Sequence, residues 1–283
     1  MRHGKRRFAH IAVEDASPLD VAIFTRDRGI VAMVAAALRH RETLLAFQPV
    51  VQSQRPDRIA FYEGLIRVLD DTGRIIPAHD FIDAVEATET GRILDCVALE
   101  TGLRTLQRNP QIRLSINMSA RSIGYPRWMR SLRQGVQSDP TIGERLILEI
   151  TERSAMTVPE LVVRFMADLQ TRGITFALDD FGAGYTSLRY LRDFQFDVIK
   201  IDGTFVRGVK DDADNQVLTR AMVDIARQFD MFTVAESVEN VSDSRWLSSI
   251  GVDCQQGYFF GAPTVHPPWN SPSPQAARLH RAG

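Results

Sequence analysis

Acidic and amide side chains recur at the ends of short apolar runs in this chain. FYEGLIRV carries Glu63, RLSINMS carries Asn117, and RLILEITE carries Glu149 and Glu152. TFALDDFGAGYTSL carries Asp179 and Asp180, DVIKIDGTF carries Lys200 and Asp202, and FTVAESVEN carries Glu236 and Glu239. Charged groups are seldom fully buried unless they are paired or bound to a metal. Strand-like segments that all deliver such groups at their C-terminal ends therefore point to one shared site. A set of oxygen ligands suits Mg²⁺ or Mn²⁺, and two such ions commonly serve phosphodiester hydrolysis.

The runs LLAFQPVV, IAFYEGLIRV, RLSINMS, RLILEITE, TFALDDF, DVIKID, FTVAESV and QQGYFFG alternate with helical patterns. Eight strands alternating with helices imply an α/β barrel, with its site at the C-terminal strand ends. VQSQRPDR is too short for a crossover helix, so the first strand runs antiparallel to the second. Thr157 and Glu160 read as a capping box ahead of an apolar stripe of Leu161, Val162, Phe165, Met166 and Leu169. A second helix begins near Asp212, with Val217, Leu218, Met222 and Ile225 on one side. Residues 1–43 form an extension with a helix over about Asp27 to Arg41. The barrel occupies 44–265, and the Pro-, Ser- and Ala-rich residues 266–283 read as a disordered tail.

The strand period tests which groups share a face. Ser115, Asn117 and Ser119 do, as do Val198, Lys200 and Asp202. Glu149 and Glu152 point to opposite sides, so one belongs to the site and the other organises a loop. Asp179 and Asp180 also diverge on a regular strand. Both reach one site only if the chain turns there, a freedom Gly182 and Gly184 supply.

Composition removes several classes. A net charge of −1 gives no electrostatic case for a nucleic-acid polymer or an anionic membrane. The run Gly29–Leu38 is too short to span a bilayer. Cys96 and Cys254 have no metal-like spacing, and a reduced, cytoplasmic protein is expected. The six histidines lie outside every run above, which argues against a zinc site or a His-based triad. His79–Asp80 is the sole HD dipeptide and lacks the supporting histidines of a histidine–aspartate phosphodiesterase.

The segments FQPVV, YEGLIR, SINMS, LEITE, LDDFGAGYTSL, KIDGTFV, VAESVEN and QGYFFGAP, from about Leu44 to Pro263, resemble the EAL-domain family of cyclic di-GMP phosphodiesterases. That resemblance implies a TIM-type (β/α)8 barrel with an antiparallel first strand, which hydrolyses cyclic di-GMP to linear pGpG. It implies two Mg²⁺ or Mn²⁺ ions, with Ca²⁺ inhibitory. Glu63, Asn117, Glu149 and Asp179 match the ligands of one ion; Asp179, Asp180 and Glu236 match those of the other. Lys200 matches the lysine beside the attacking water, Gln256 the glutamine that orients it, and Glu152 the glutamate that holds the loop after the DD pair. The proton acceptor is Lys200 or Glu236, and a depressed lysine pKa among cations would suit that role. Gln48, Leu65 and Arg67 match substrate-binding positions, and Asp202 is grouped with them. A homodimer through the segment after the DD pair is expected.

Three positions depart from the family pattern: Gly64 replaces alanine, Ser237 replaces glycine, and Gly203 replaces the arginine common after KID. Gly64 is expected to loosen its strand. None removes a ligand. An EAL barrel that senses the nucleotide or contacts a protein without cleaving is the competing reading, and its usual mark is a lost ligand. An enolase-like Mg²⁺ lyase would not explain the motif series.

Overall fold

The hairpin expected at the start of the barrel fixes how the ring closes. The computed structural model describes residues 17–184 and 191–270. β1 (Thr43–Gln52) and β2 (Arg55–Leu69) pair antiparallel, with Gln48 opposite Glu63. β3 (Ile75–Pro77), which the sequence reading missed, pairs with the end of β2 outside the ring. β4 (Leu114–Asn117), β5 (Leu146–Thr151), β6 (Thr175–Phe181), β7 (Val198–Ile201) and β8 (Phe232–Ala235) follow in parallel, beginning beside β2. β9 (Cys254–Gln256) lies parallel to β8 and antiparallel to β1. The β1–β2 pairing then closes an eight-stranded TIM-type barrel with an antiparallel first strand, as expected.

Among the described residues the α-helices include α1 (Pro18–His40), α2 (Ile82–Val85), α3 (Glu89–Arg108), α4 (Pro126–Ser138), α5 (Glu152–Ala155), α6 (Pro159–Gln170), α7 (Gly203–Val206), α8 (Ala213–Gln228) and α9 (Val241–Ser249). Among the described residues none is long and apolar enough to cross a membrane.

One interior layer positions the site. Val50, Phe61, Ile147, Ala177, Val198 and Val234 form an apolar cluster inside the ring. The next inward residue on a strand is two positions away. Phe61 therefore leads to Glu63, Ile147 to Glu149, Ala177 to Asp179 and Val198 to Lys200. Val234 leads to Glu236 just past its strand, and on the opposed β1 Val50 leads back to Gln48. The apolar layer is the floor on which the polar layer rests.

Several local readings need correction. α6 starts at Pro159 with Val158 as its N-cap, so the Thr157–Glu160 box does not form. Proline sets the first helical position, and the Thr157 hydroxyl donates instead to the Arg153 carbonyl. Leu161 is exposed, and the other members of that stripe are buried. α8 does begin after Asp212, but it buries Thr219, Met222, Val223 and Ala226 and leaves Val217 and Leu218 exposed. α1 begins earlier than expected. Its second half packs Val34 and Ala37 against Val68, Ile76, Phe81 and Leu94, so a boundary at residue 43 would cut through a core.

The tail expected to be disordered from residue 266 begins with a packed segment. Phe47 and Thr264 exchange backbone hydrogen bonds at 2.8 and 3.0 Å. Trp269 stands edge-on to Phe47 and Tyr62, with ring centroids 5.1 and 4.7 Å away. The apolar area of one tryptophan outweighs the prolines and serines around it. Residues 1–16, 271–283 and 185–190 lie outside the described residues, and with them the rest of the tail and part of the segment expected at a dimer contact. Trp269→Ala should lower stability by about 2 kcal/mol, from two lost aromatic contacts and partial burial. Urea unfolding checks this: the midpoint should fall at constant slope. An unchanged midpoint would show that the segment does not hold the hairpin.

Candidate active site at the barrel mouth

Lys200 lies at the centre of the polar layer, wholly buried on β7. Its Nζ is 2.7 Å from Glu149 and from Glu236, 3.0 Å from Asp179 and 3.4 Å from Glu63. Burial alone would push the ammonium pKa down. The Asp179, Glu149, Glu236 and Glu63 carboxylates outweigh that and hold it well above the ordinary lysine value. The sequence expectation of a depressed value concerned a lysine beside bound cations; these four carboxylates act in the other direction.

Glu63 is tied from several sides. Asn117 Nδ2 donates to its Oε1 at 2.8 Å, and Gln256 Nε2 donates to its Oε2 at 2.6 Å. Gln256 Nε2 also reaches Gln48 Oε1 at 3.1 Å, while Gln48 Nε2 donates to the Gly261 carbonyl. Burial acts against the Glu63 carboxylate, yet Lys200, Gln256 and Asn117 bring its pKa below normal. Glu149 goes the other way. Burial and the Glu63 charge push it up to about 8 despite Lys200. Burial and then Asp179 raise Asp180 to about 6. Burial, helped by Asp179 and Glu63, also raises Glu236 well above normal against the pull of Lys200. The cluster holds more negative charge than one lysine offsets.

Backbone turns bring the remaining acids inward. Asp180 has φ 55°, so the turn expected from the following glycines begins at the aspartate itself. Ser237, directly after Glu236, also has φ 55°. One carboxylate oxygen each from Asp179, Asp180 and Glu236 lie within 4.8 Å of one another. The buried Oε1 of Glu149 accepts no hydrogen bond. An all-oxygen donor set with surplus negative charge and an unpaired buried oxygen fits a hard divalent cation.

The other expected residues stand apart from this cluster. Glu152 begins α5, and its Oε2 accepts the Gly182 N–H at 3.0 Å. It thus touches the loop after the DD pair. A Cβ on Gly184 would come within 2.5 Å of Glu152 Oε1, so that glycine permits the approach. Asp202 is the N-cap of α7, accepting the Thr204 N–H at 2.8 Å, a structural role that the substrate-binding assignment omitted. Arg67 is partly buried and donates to the Ile66 carbonyl. Leu65 lines a cleft of about 490 Å³ together with Asn117, Glu152, Asp179 and Asp180. At Gly64 on β2 a Cβ would lie 2.7 Å from Ile116 Cδ1, which fills that space.

The same cleft is lined by Ser119, on the face of Asn117, and by Glu86 and Asp95, which sequence reasoning missed. Asp95 Oδ2 accepts the Ser119 N–H at 3.0 Å and the Ser122 hydroxyl at 2.6 Å. An acid between Leu94 and the apolar positions Cys96, Ala98 and Leu99 of α3 was the available signal. Burial raises the Asp95 pKa to about 7, against those two hydrogen bonds. Its folded pKa therefore exceeds its unfolded value. Its contribution to stability is present in full below about pH 4 and is lost as pH rises to about 7. Asp95→Asn should flatten the stability profile across that window relative to the wild type. Urea midpoints measured from pH 4 to pH 8 check this, and parallel profiles would refute it.

A family model of the EAL domain matches residues 31–263. The chain is 31% identical over 234 residues to "Cyclic di-GMP phosphodiesterase PdeB" of Shewanella oneidensis, covering 81% of this chain and 27% of that protein. The chain thus spans about a quarter of that relative's length. A crystal structure of an EAL domain protein from Listeria monocytogenes EGD-e superposes with a TM-score of 0.73 at 29% identity, covering 82% of this chain and 93% of that one. A manganese and cyclic di-GMP complex of Klebsiella pneumoniae BlrP1 has a TM-score of 0.69 at 27% identity, covering 79% and 56%.

Proposed function

Since the chain belongs to the EAL domain family, we propose that it is a divalent-metal-dependent phosphodiesterase that opens cyclic di-GMP to linear pGpG. The observation that carries this reading is the acidic triad Asp179, Asp180 and Glu236 around a buried lysine at the barrel mouth. Glu63, Asn117, Glu149 and Asp179 would hold one cation, and Asp179, Asp180 and Glu236 a second. Bound there, Mg²⁺ or Mn²⁺ would lower the pKa of a coordinated water and offset phosphate charge.

The chain's own groups have distinct tasks in this reading. Lys200 holds the carboxylates at fixed separations and stands where it can position the attacking water or exchange a proton with it. Glu236, within 2.7 Å of that ammonium, is the alternative proton acceptor. Gln256 and Gln48 fix Glu63 and the β1 edge of the cleft. Glu152 holds Gly182, and so the direction taken by the chain after Asp180. Leu65 and Arg67 face the nucleotide. The apolar floor excludes water from below, which strengthens every charge interaction above it.

Lys200→Ala should lose roughly 10²-fold or more in turnover, as expected of a group acting on the proton-transfer step. Cyclic di-GMP affinity, measured by calorimetry in Ca²⁺, should change far less. Mg²⁺ or Mn²⁺ should support turnover, and Ca²⁺ should bind without it, because its looser coordination misplaces the water. Wild-type turnover in Lys200→Ala would end the proposed role of the lysine. Binding without cleavage under any divalent cation would favour the sensor reading. Glu152→Ala should lower turnover and weaken metal binding while substrate affinity in Ca²⁺ survives in part. A structure with Glu152 directly on a metal would contradict that loop-holding role.

A further inference from the structure

The turn that delivers Glu236 is built around an unusual trio. Glu236 N donates to the Ile201 carbonyl at the end of β7, at 3.2 Å. Val238 N donates to the Gln256 carbonyl at the end of β9, at 2.9 Å. The main chain therefore crosses from one neighbour to the other at Ser237, which adopts φ 55° to do so. Glycine takes this conformation without cost, whereas serine is strained in it. A strained residue persists when its side chain gains something in return.

Ser237 has one such contact: Arg207 Nη2 donates to its Oγ at 3.2 Å. The same guanidinium reaches Glu239, with Arg207 Nε 3.6 Å from Glu239 Oε1. A single guanidinium thus spans the segment that follows Glu236. Opposite Ser237 lies Gly203, the first residue of α7. A Cβ there would sit 2.4 Å from Ser237 Oγ, 2.7 Å from Ser237 Cβ and 3.1 Å from Arg207 Nη2. The serine and the arginine together fill the space that any side chain at 203 would need. Positions 203 and 237 are therefore coupled through one shared space.

We propose that Ser237, Arg207 and Gly203 form a clasp that positions Glu236, with Ser237 and Arg207 as positioning residues. This rests on the reading of Glu236 as part of the metal and proton-transfer machinery. With glycine at 237, the link from β7 to β9 would pivot, and the Glu236 carboxylate would lose its fixed approach to Lys200 and Asp179. The Arg207–Glu239 pair is half exposed, so its share of global stability is small. Its effect is local, on the precision of one carboxylate.

The test compares wild type with Arg207→Ala, Arg207→Lys, Ser237→Gly, Gly203→Ala and the Gly203→Ala/Ser237→Gly double variant. Turnover of cyclic di-GMP with Mg²⁺, Mn²⁺ calorimetry without nucleotide, and thermal midpoints are the readouts. Arg207→Ala and Ser237→Gly should lower kcat about 10-fold and weaken Mn²⁺ binding, with KM and midpoint nearly unchanged. Arg207→Lys should recover part of the loss, since it keeps one donor but not the fork. Gly203→Ala should lower both midpoint and kcat; adding Ser237→Gly should restore the midpoint by removing the clash, with kcat no lower than in Ser237→Gly alone. Wild-type kcat and Mn²⁺ affinity in Arg207→Ala would overturn the proposal. So would a Gly203→Ala defect of equal size in the Ser237→Gly background. If the wild type proves unable to cleave, the Mn²⁺ affinities and midpoints still decide the clasp, so it and the phosphodiesterase reading fail separately.

Discussion

A lysine ammonium and four carboxylates can share the mouth of a barrel only because each offsets the desolvation of the others. Lys200 lies within 3.4 Å of Glu63, Glu149, Asp179 and Glu236, which come from strands or strand ends on every side of the ring. Removing one member of a buried ionic cluster leaves the rest uncompensated, which costs far more than the cluster contributes as a whole. The polar layer is therefore a single cooperative object. Its excess of negative charge is resolved in the protein by carboxylates whose affinity for protons is raised, notably Glu149 and Glu236. In the proposed function a hard cation would take over that task.

Beneath that layer the fold is simple. Phe61, Ile147, Ala177, Val198 and Val234 close the interior, and the polar groups stand one inward position above them. Because the site's depth is set by strand periodicity, it does not depend on long loops. Only the last steps, at Asp180 and Ser237, use strained backbone. The floor is generic barrel packing, and the two turns add Asp180 and Glu236 to the strand-borne groups above it.

This division explains what could be read from sequence. Strand order, the antiparallel β1 and the inward faces of Asn117, Glu149 and Lys200 follow from a period of two and from the length of connections, both local properties. The helix faces were less legible. Pro159 displaced the Thr157 cap by fixing the first helical residue, and a shift around α8 exchanged Leu218 for Thr219 and Val223. Asp95 was hidden because its partners, Ser119 and Ser122, lie more than 20 residues away in the chain. The direction of the Lys200 shift depends on four distant carboxylates, and no local pattern reports their sum.

The Trp269 segment bears on how force and mutation reach the site. It lies beyond the last residue of the matched family region, Pro263, yet it is zipped to Phe47 through Thr264 and clamped on Phe47 and Tyr62. Those two residues are the chain neighbours of Gln48 and Glu63, which face each other across the hairpin. The recurring module and the mechanical unit therefore end at different places. A pull on the chain's C-terminal end, whether from a fused domain or a bound partner, would peel Trp269 from the hairpin. The displacement would reach the carboxylate layer one residue later.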